Sequence, residues 1–114
     1  MIKRANKELV GASTTVLILG VLQRGGASYG YDIVRQVNDQ AQGAFTWHEG
    51  TIYPLLHKLE RQGLIKSRWQ ESSAGRKRKY YALTGAGRTA LHQGARQWQL
   101  FHAMILKLTG ASHV

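Results

Sequence analysis

The sequence contains no cysteine and no apolar run long enough to cross a membrane. The lack of cysteine excludes a disulfide scaffold and thiolate chemistry. The apolar run Val16–Leu22 has seven residues, whereas a bilayer requires about 20. Lys3, Arg4 and Lys7 precede this run as in a signal peptide, but no cleavage pattern follows it. We therefore expect a buried first helix, no membrane partner and a cytoplasmic location.

Acidic residues are also scarce, and the basic residues are clustered. Six Asp and Glu against sixteen Lys and Arg give a formal net charge of +10, which favours nucleic acid or anionic lipid as a partner over a charge carried only for solubility. Eight of the sixteen basic residues lie between Lys58 and Lys79, opposed there only by Glu60 and Glu71. A clustered charge of this kind neutralises phosphates and releases their counterions, so it favours nucleic acid.

The sequence offers little for catalysis or for a metal. Gly85–Ala90 fits a dinucleotide-binding pattern, but no acidic residue follows Glu71 to hold the ribose. No two of the five histidines are three or four residues apart, and His102 is best explained as a polar residue at the rim of a helix seam. No serine elbow, phosphate loop or carboxylate pair occurs. We predict no enzyme, no cofactor and no metal site.

Hydrophobic periodicity predicts three helices, a β-hairpin and a long last helix. The predicted segments are Asn6–Arg24, Tyr29–Gln40, a helix from Thr46–Glu49 to Gln62, strands Leu64–Gln70 and Lys77–Leu83 around the turn Ser72–Gly75, and a helix after Thr84. The expected apolar faces are Leu9, Val16, Leu17, Leu19 and Leu22 in the first helix, Tyr29, Ile33, Val34 and Val37 in the second, and Ile52, Leu55, Leu56 and Leu59 in the third.

Polar residues at the helix starts predict the caps. Asn6, Ser28 and Thr84 are the expected caps of the first, second and last helices. Thr46 and Glu49 have capping-box spacing for the third helix, with His48 as the alternative cap. Pro54 predicts a local irregularity in that helix, because proline has no backbone N–H.

The predicted order of elements is that of a winged helix-turn-helix, in which the third helix enters the major groove and the hairpin reaches the adjacent backbone. Residues left on the outer faces of the third helix are candidates for base or phosphate contacts, and the cations of the hairpin are candidates for phosphate contacts. The candidate DNA-binding residues are Thr51, Tyr53, His57, Lys58, Arg61, Arg76, Lys77, Arg78 and Lys79. Solvated positions for Lys58 and Arg61, and packing of Tyr53 against the first helix, are the alternatives.

The last helix carries an apolar seam suited to pairing with a second helix. The seam consists of Leu91, Gly94, Trp98, Phe101, Ile105 and Leu108. Of these, Leu91, Trp98, Phe101, Ile105 and Leu108 are the expected dimer contacts, and packing alone is the alternative reason for Trp98.

Three motifs together resemble PadR-family transcriptional regulators. Glu49–Glu60 followed by Gly63–Ile65 is similar to the recognition-helix signature of that family, Gly75–Thr84 with Gly87 to its wing, and Tyr29–Ile33 to its second helix. The resemblance extends from about Leu9 to Leu108 and points to the short-tailed subfamily. His48 departs from the Ser or Asn that the family usually has as the cap.

The resemblance implies a homodimeric repressor that binds an inverted-repeat operator and releases it when a small molecule binds. Trp98 matches a tryptophan with which multidrug-sensing members hold flat aromatic ligands, so Trp98, Gly94 and Phe101 are the expected effector-binding residues. We thus predict a mainly α protein with a small β-hairpin: a winged helix-turn-helix at 1–84 and a C-terminal dimerisation helix at 85–114, in one structural domain. A winged-helix protein–protein interaction module and a non-specific nucleic-acid-binding protein are the alternatives.

Overall fold

The computed structural model describes residues 7–110 and confirms the predicted order of helices and strands. The elements are α1 (Lys7–Gly25), β1 (Ser28–Tyr29), α2 (Gly30–Ala41), α3 (Glu49–Arg61), β2 (Ile65–Glu71), β3 (Lys77–Leu83) and α4 (Gly85–Thr109). Lys3, Arg4, the proposed cap Asn6, His113 and the side chain of Leu9 lie outside the described part of the chain.

Most of the core comes from one stripe of each of the first three helices, and Trp47, Ile65, Tyr81 and Leu91 complete it. The predicted stripes are largely confirmed, because Ile33, Val34 and Val37 of α2 and Ile52, Leu56 and Leu59 of α3 are buried. The prediction for α1 is wrong at Leu17, which is 39% exposed, while Ile18 is fully buried. Thr14, Ile18 and Leu22 are spaced by four residues and so share the buried face. Because α1 is apolar on nearly every side, its sequence does not mark that face.

The predicted hairpin is part of a three-stranded antiparallel sheet of order β1-β3-β2. Ser28 pairs with Tyr81 in this sheet, so its assignment as the cap of α2 is wrong. The Ser28 hydroxyl is used instead to donate to the Gly26 carbonyl at 3.0 Å and to accept from Gln36 Nε2 at 3.1 Å.

The start of α3 is held by residues that precede it. His48 occupies the cap position without a side-chain cap bond, so the Thr46–Glu49 capping box is wrong. The Trp47 N–H donates to Asn38 Oδ1 at 2.7 Å, and Asn38 Nδ2 donates to the Trp47 carbonyl at 3.0 Å. The buried Trp47 indole also donates to Thr14 Oγ1 at 3.1 Å. α3 continues through Pro54, so the missing N–H does not end the helix.

The start of α4 is fixed against the sheet. Thr84 caps it as predicted, since Thr84 Oγ1 accepts from the Gly87 N–H at 3.0 Å. The Thr84 hydroxyl also donates to the Gly63 carbonyl at 2.7 Å and ties α4 to the turn before β2.

The seam of α4 divides into two halves. Leu91 is buried in the core of its own chain. At Gly94 a Cβ would lie 2.9 Å from Val16 Cγ2 of α1, so α1 of the same chain occupies the space beside Gly94. By contrast, Ile105 and Leu108 are 56% and 80% exposed. Among residues 7–110, the C-terminal half of the seam is therefore mostly exposed.

Candidate nucleic-acid interface

The hairpin β2–β3 presents cations around its tip. Gly75 turns the chain with a φ of +78°, and the Ser72 N–H donates to the Arg76 carbonyl at 2.8 Å to close the turn. Arg76 and Lys77 beyond the turn are exposed. The guanidinium of Arg78 lies over the ring of Tyr29, 4.5 Å from its centroid. Because this contact orients the guanidinium, the position of Arg78 is set before a ligand arrives.

Lys79 differs from its neighbours because it faces α3. Its Nζ lies 3.5 Å from Glu60 Oε1 and 5.4 Å from the centroid of the Tyr81 ring. Within residues 7–110, no other cation of the Lys58–Lys79 cluster forms an ion pair. The field of the hairpin is therefore mostly unneutralised, and Lys79 contributes less to it than the sequence predicts.

Glu60 joins α3 to both strands of the hairpin. It accepts a short hydrogen bond from the Ser67 hydroxyl on β2 and pairs with Lys79 on β3. The hydrogen bond from the Ser67 hydroxyl lowers the pKa of Glu60, and the positive charge of Lys79 lowers it further. Partial burial of the carboxylate acts in the opposite direction but is outweighed. This carboxylate sets the position of the hairpin beside α3.

The first turn of α3 is open to a ligand. No side chain caps it, so its free amides remain available to an anion at the positive end of the helix. Gly50 is exposed with no neighbouring atom within 4 Å of the place a Cβ would take. Farther along α3, His57, Lys58 and Arg61 are exposed and Thr51 is half-buried. α3 therefore carries a polar outer face, as predicted.

Tyr53 rests on the first residue of α2. A Cβ at Gly30 would lie 2.6 Å from Tyr53 Cε1, so the close contact depends on glycine at that position. Tyr53 is half-buried against the core, as the alternative expected, and it also packs against the start of α2. Burial, reinforced by the nearby Glu49, raises the pKa of Tyr53, so its hydroxyl stays protonated and can donate a hydrogen bond.

An open cavity lies between the start of α2, the side of α3 and β3. Its lining consists of Tyr29, Gly30, Tyr31, Tyr53, His57, Arg76, Arg78, Lys79 and Tyr81. The fold therefore brings together five of the nine predicted DNA-binding residues, and the other four, Thr51, Lys58, Arg61 and Lys77, lie outside the cavity. Tyr29 and Tyr31 were missed as site residues, although the Tyr-Gly-Tyr sequence at the start of α2 was a usable signal.

A second surface lies on the C-terminal half of α4. Its exposed apolar residues are Leu100, Phe101, Met104, Ile105 and Leu108, and Leu100 and Met104 make it wider than the predicted seam. Trp98 is half-buried, and its ring is edge-on to that of Phe101 with the centroids 6.3 Å apart. A contiguous apolar patch of this kind marks an interaction surface.

No group of three or more metal-ligating side chains occurs among residues 7–110. None of the helices in that range is both long and apolar enough to span a bilayer.

The comparison with protein families gives one match that covers most of the chain. The model of the transcriptional regulator PadR-like family matches residues 18–93. The negative transcriptional regulator PadR of Bacillus subtilis is 33% identical over 88 residues, which are 77% of this chain and 46% of that protein. The chain spans between 41% and 64% of the length of the curated relatives that it matches.

Solved structures agree with this match in fold. A PadR-family transcriptional regulator from Eggerthella lenta superposes with a TM-score of 0.78 at 30% identity, covering 92% of this chain and 88% of that one. Bacillus subtilis PadR in complex with operator DNA gives a TM-score of 0.62 at 32% identity, covering 70% of this chain and 44% of that one. These relatives are regulators rather than enzymes, which confirms the prediction of a non-enzyme. With a family model matched over 18–93, the chain belongs to the PadR-like family of transcriptional regulators.

Proposed function

We propose that this protein regulates transcription by binding duplex DNA, with α3 in the major groove and the β2–β3 hairpin on the adjacent backbone. The observation that carries the proposal is the shared cavity, in which Tyr53 and His57 of α3 lie beside Arg76 and Arg78 of the hairpin. A duplex that enters the groove at α3 meets unpaired guanidinium groups at its phosphates. The structure of Bacillus subtilis PadR in complex with operator DNA supports duplex DNA as the partner.

Arg76 and Arg78 of the hairpin provide the first test. Arg76→Ala combined with Arg78→Ala removes two phosphate contacts, so the slope of log K against log salt should fall in magnitude by about 1.8. Binding to all duplexes should weaken together, because phosphates carry no sequence information. Fluorescence anisotropy titrations at several salt concentrations measure both quantities.

A matched control distinguishes the loss of two phosphate contacts from the mere loss of two positive charges. Arg88→Ala combined with Arg96→Ala removes two arginines from exposed positions of α4 and should leave the slope nearly unchanged. Equal slopes for the two double variants would reject the hairpin as the phosphate anchor.

The regulator is further proposed to act as a homodimeric repressor. The apolar patch on α4 gives two copies a surface to bury against each other, and a two-fold pair would present its α3 helices to half-sites about 34–36 Å apart. Occupation of an inverted-repeat operator would then block transcription until a small ligand binds near Trp98. Sedimentation measures the mass of the assembly, and Trp98 fluorescence reports ligand binding.

Selection of bound sequences from random duplexes separates this proposal from its rivals. A regulator should enrich a two-fold symmetric site and prefer it by about a thousandfold or more. A non-specific nucleic-acid-binding protein would enrich no site, and a protein–protein interaction module would retain no duplex.

A further inference from the structure

Trp69 is a large apolar side chain that the fold leaves in water. It lies in the middle of β2 and is 67% exposed. An indole contributes to stability mainly by the area it buries, so Trp69 contributes little to the folded chain. A side chain of this size on a hairpin surrounded by charge is explained by a contact made with a partner.

The direction of the Trp69 side chain follows from the alternation of β2. Ile65 on that strand is buried in the core, and Ser67 donates its hydroxyl proton to Glu60 of α3. Because every second residue of a strand points to the same face, Trp69 also lies on the face that turns toward α3. In the strand register, it stands opposite Lys79, which reaches Glu60 from β3.

The charge around Trp69 indicates what kind of partner covers it. Lys77 and Lys79 on the adjoining strand share the face of Trp69, whereas Lys66 and Arg68 of β2 point to the opposite face. An apolar protein surface would have to desolvate the two ammonium groups beside Trp69, whereas the sugar-phosphate backbone offers an apolar sugar edge between anionic phosphates. The position beside α3 is also continuous with the proposed DNA-binding surface.

We infer that Trp69 is a DNA contact of the hairpin, with its indole packed against the sugars of the backbone that passes between the hairpin and α3. This inference rests on the proposed function and adds an apolar contact to a surface otherwise described by its charges. Such a contact buries surface without neutralising a phosphate. Its contribution to affinity is therefore independent of salt, unlike that of Arg76 and Arg78.

The test separates these two kinds of contact. Trp69→Thr keeps a residue suited to a strand and removes the indole; its binding should be roughly tenfold weaker at every salt concentration, the order expected when an aromatic group leaves a nucleic-acid contact. The slope of log K against log salt should equal that of the wild type. Trp69→Phe, which keeps an aromatic surface, should recover most of the affinity.

Fluorescence gives a second readout that does not depend on affinity. Saturating duplex should change the emission of the wild-type protein, and most of this change should be absent in Trp69→Phe. Thermal unfolding of both variants should match that of the wild type, because the side chain is exposed.

Unchanged affinity of Trp69→Thr, or a salt slope reduced as in the Arg76 and Arg78 variant, would overturn the inference and leave the proposed function intact. A wild-type protein that binds no duplex in dilute buffer would overturn the proposed function itself.

Discussion

The lack of a side chain at Gly87 allows α4 to lie close to the sheet. A Cβ at this position would lie 1.9 Å from the Leu64 carbonyl oxygen and 2.8 Å from Leu83 Cδ1. The backbone oxygen cannot rotate away, so any larger residue must push α4 off the start of β2. Gly87, the second glycine of the segment that fits a dinucleotide-binding pattern, therefore serves close helix–sheet packing.

The Gly87→Ala variant should be less stable than the wild type by about 2 kcal/mol, a value typical of overpacking at a buried site. Gly85→Ala is the matched control, because nothing lies within 4 Å of its Cβ position and alanine favours the helix. Urea denaturation measures both free energies of unfolding. Equal stability of the two variants would show that α4 does not approach the sheet this closely.

At the scale of elements, the contacts of Glu60 join α3 to the hairpin. Glu60 bonds to Ser67 of β2 and pairs with Lys79 of β3, so one side chain links α3 to both strands of the hairpin. The base of the hairpin is held by packing, because Ile65 of β2 and Tyr81 of β3 are buried in the core with α3; Glu60 adds a polar link beyond it. The acidic residue in a basic cluster thus positions the cations, although it also neutralises one of them.

The lowered pKa of Glu60 makes this link dependent on pH. The pKa of a Glu carboxylate is about 4.3 in the unfolded state. When the pKa is lower in the folded state, the carboxylate stabilises the fold fully at pH values above the unfolded-state pKa. The contribution is lost as pH falls through the folded-state pKa. The wild type should therefore lose more stability than Glu60→Gln between pH 7 and about pH 3.

Urea denaturation at the two pH values measures this difference. Glu71→Gln, at the exposed end of β2, removes an equal charge and should retain the pH dependence of the wild type. The same pH dependence in Glu60→Gln as in the wild type would contradict the role of the Glu60 link.

At the scale of the whole molecule, the basic cluster and the apolar patch are on different elements. The cations between Lys58 and Lys79 lie on α3 and the hairpin, while the exposed apolar side chains Leu100, Phe101, Met104, Ile105 and Leu108 lie together on α4. Two copies joined through α4 would therefore keep both hairpins free for DNA. The proposed ligand site at Trp98 is adjacent to the same patch and would be completed by the partner.

Ile105→Glu combined with Leu108→Glu should convert the proposed dimer into a monomer, because four buried carboxylates would face one another across the two-fold axis. The same variant should lose the quenching of tryptophan fluorescence by acridine, a planar aromatic probe. Trp98→Ala should lose that quenching while remaining a dimer. Sedimentation velocity and fluorescence titration measure the two properties.

Gln99→Glu combined with Ala103→Glu is the control, since it adds equal charge at exposed positions on the other side of α4. It should remain dimeric and bind the probe. A wild-type monomer would reject the dimer, and a dimeric Ile105/Leu108 variant would place the interface elsewhere. Retained quenching in Trp98→Ala would reject Trp98 as the ligand platform.

The sequence alone determined the type and order of the helices and hairpin, the buried stripes of α2 and α3, the cap at Thr84 and the cationic tip of the hairpin. These features depend on local periodicity and on neighbours within a few residues, so they can be read along the chain.

The tertiary structure decided which residues meet across the chain. It paired Ser28 with β3, joined Trp47 to Thr14 and Asn38, and buried Leu91 against its own chain. It also selected Lys79 as the cation that Glu60 partly neutralises and left Trp69 in water. Such outcomes depend on contacts between residues far apart in sequence, and the spacing of residues along one element carries no information about them.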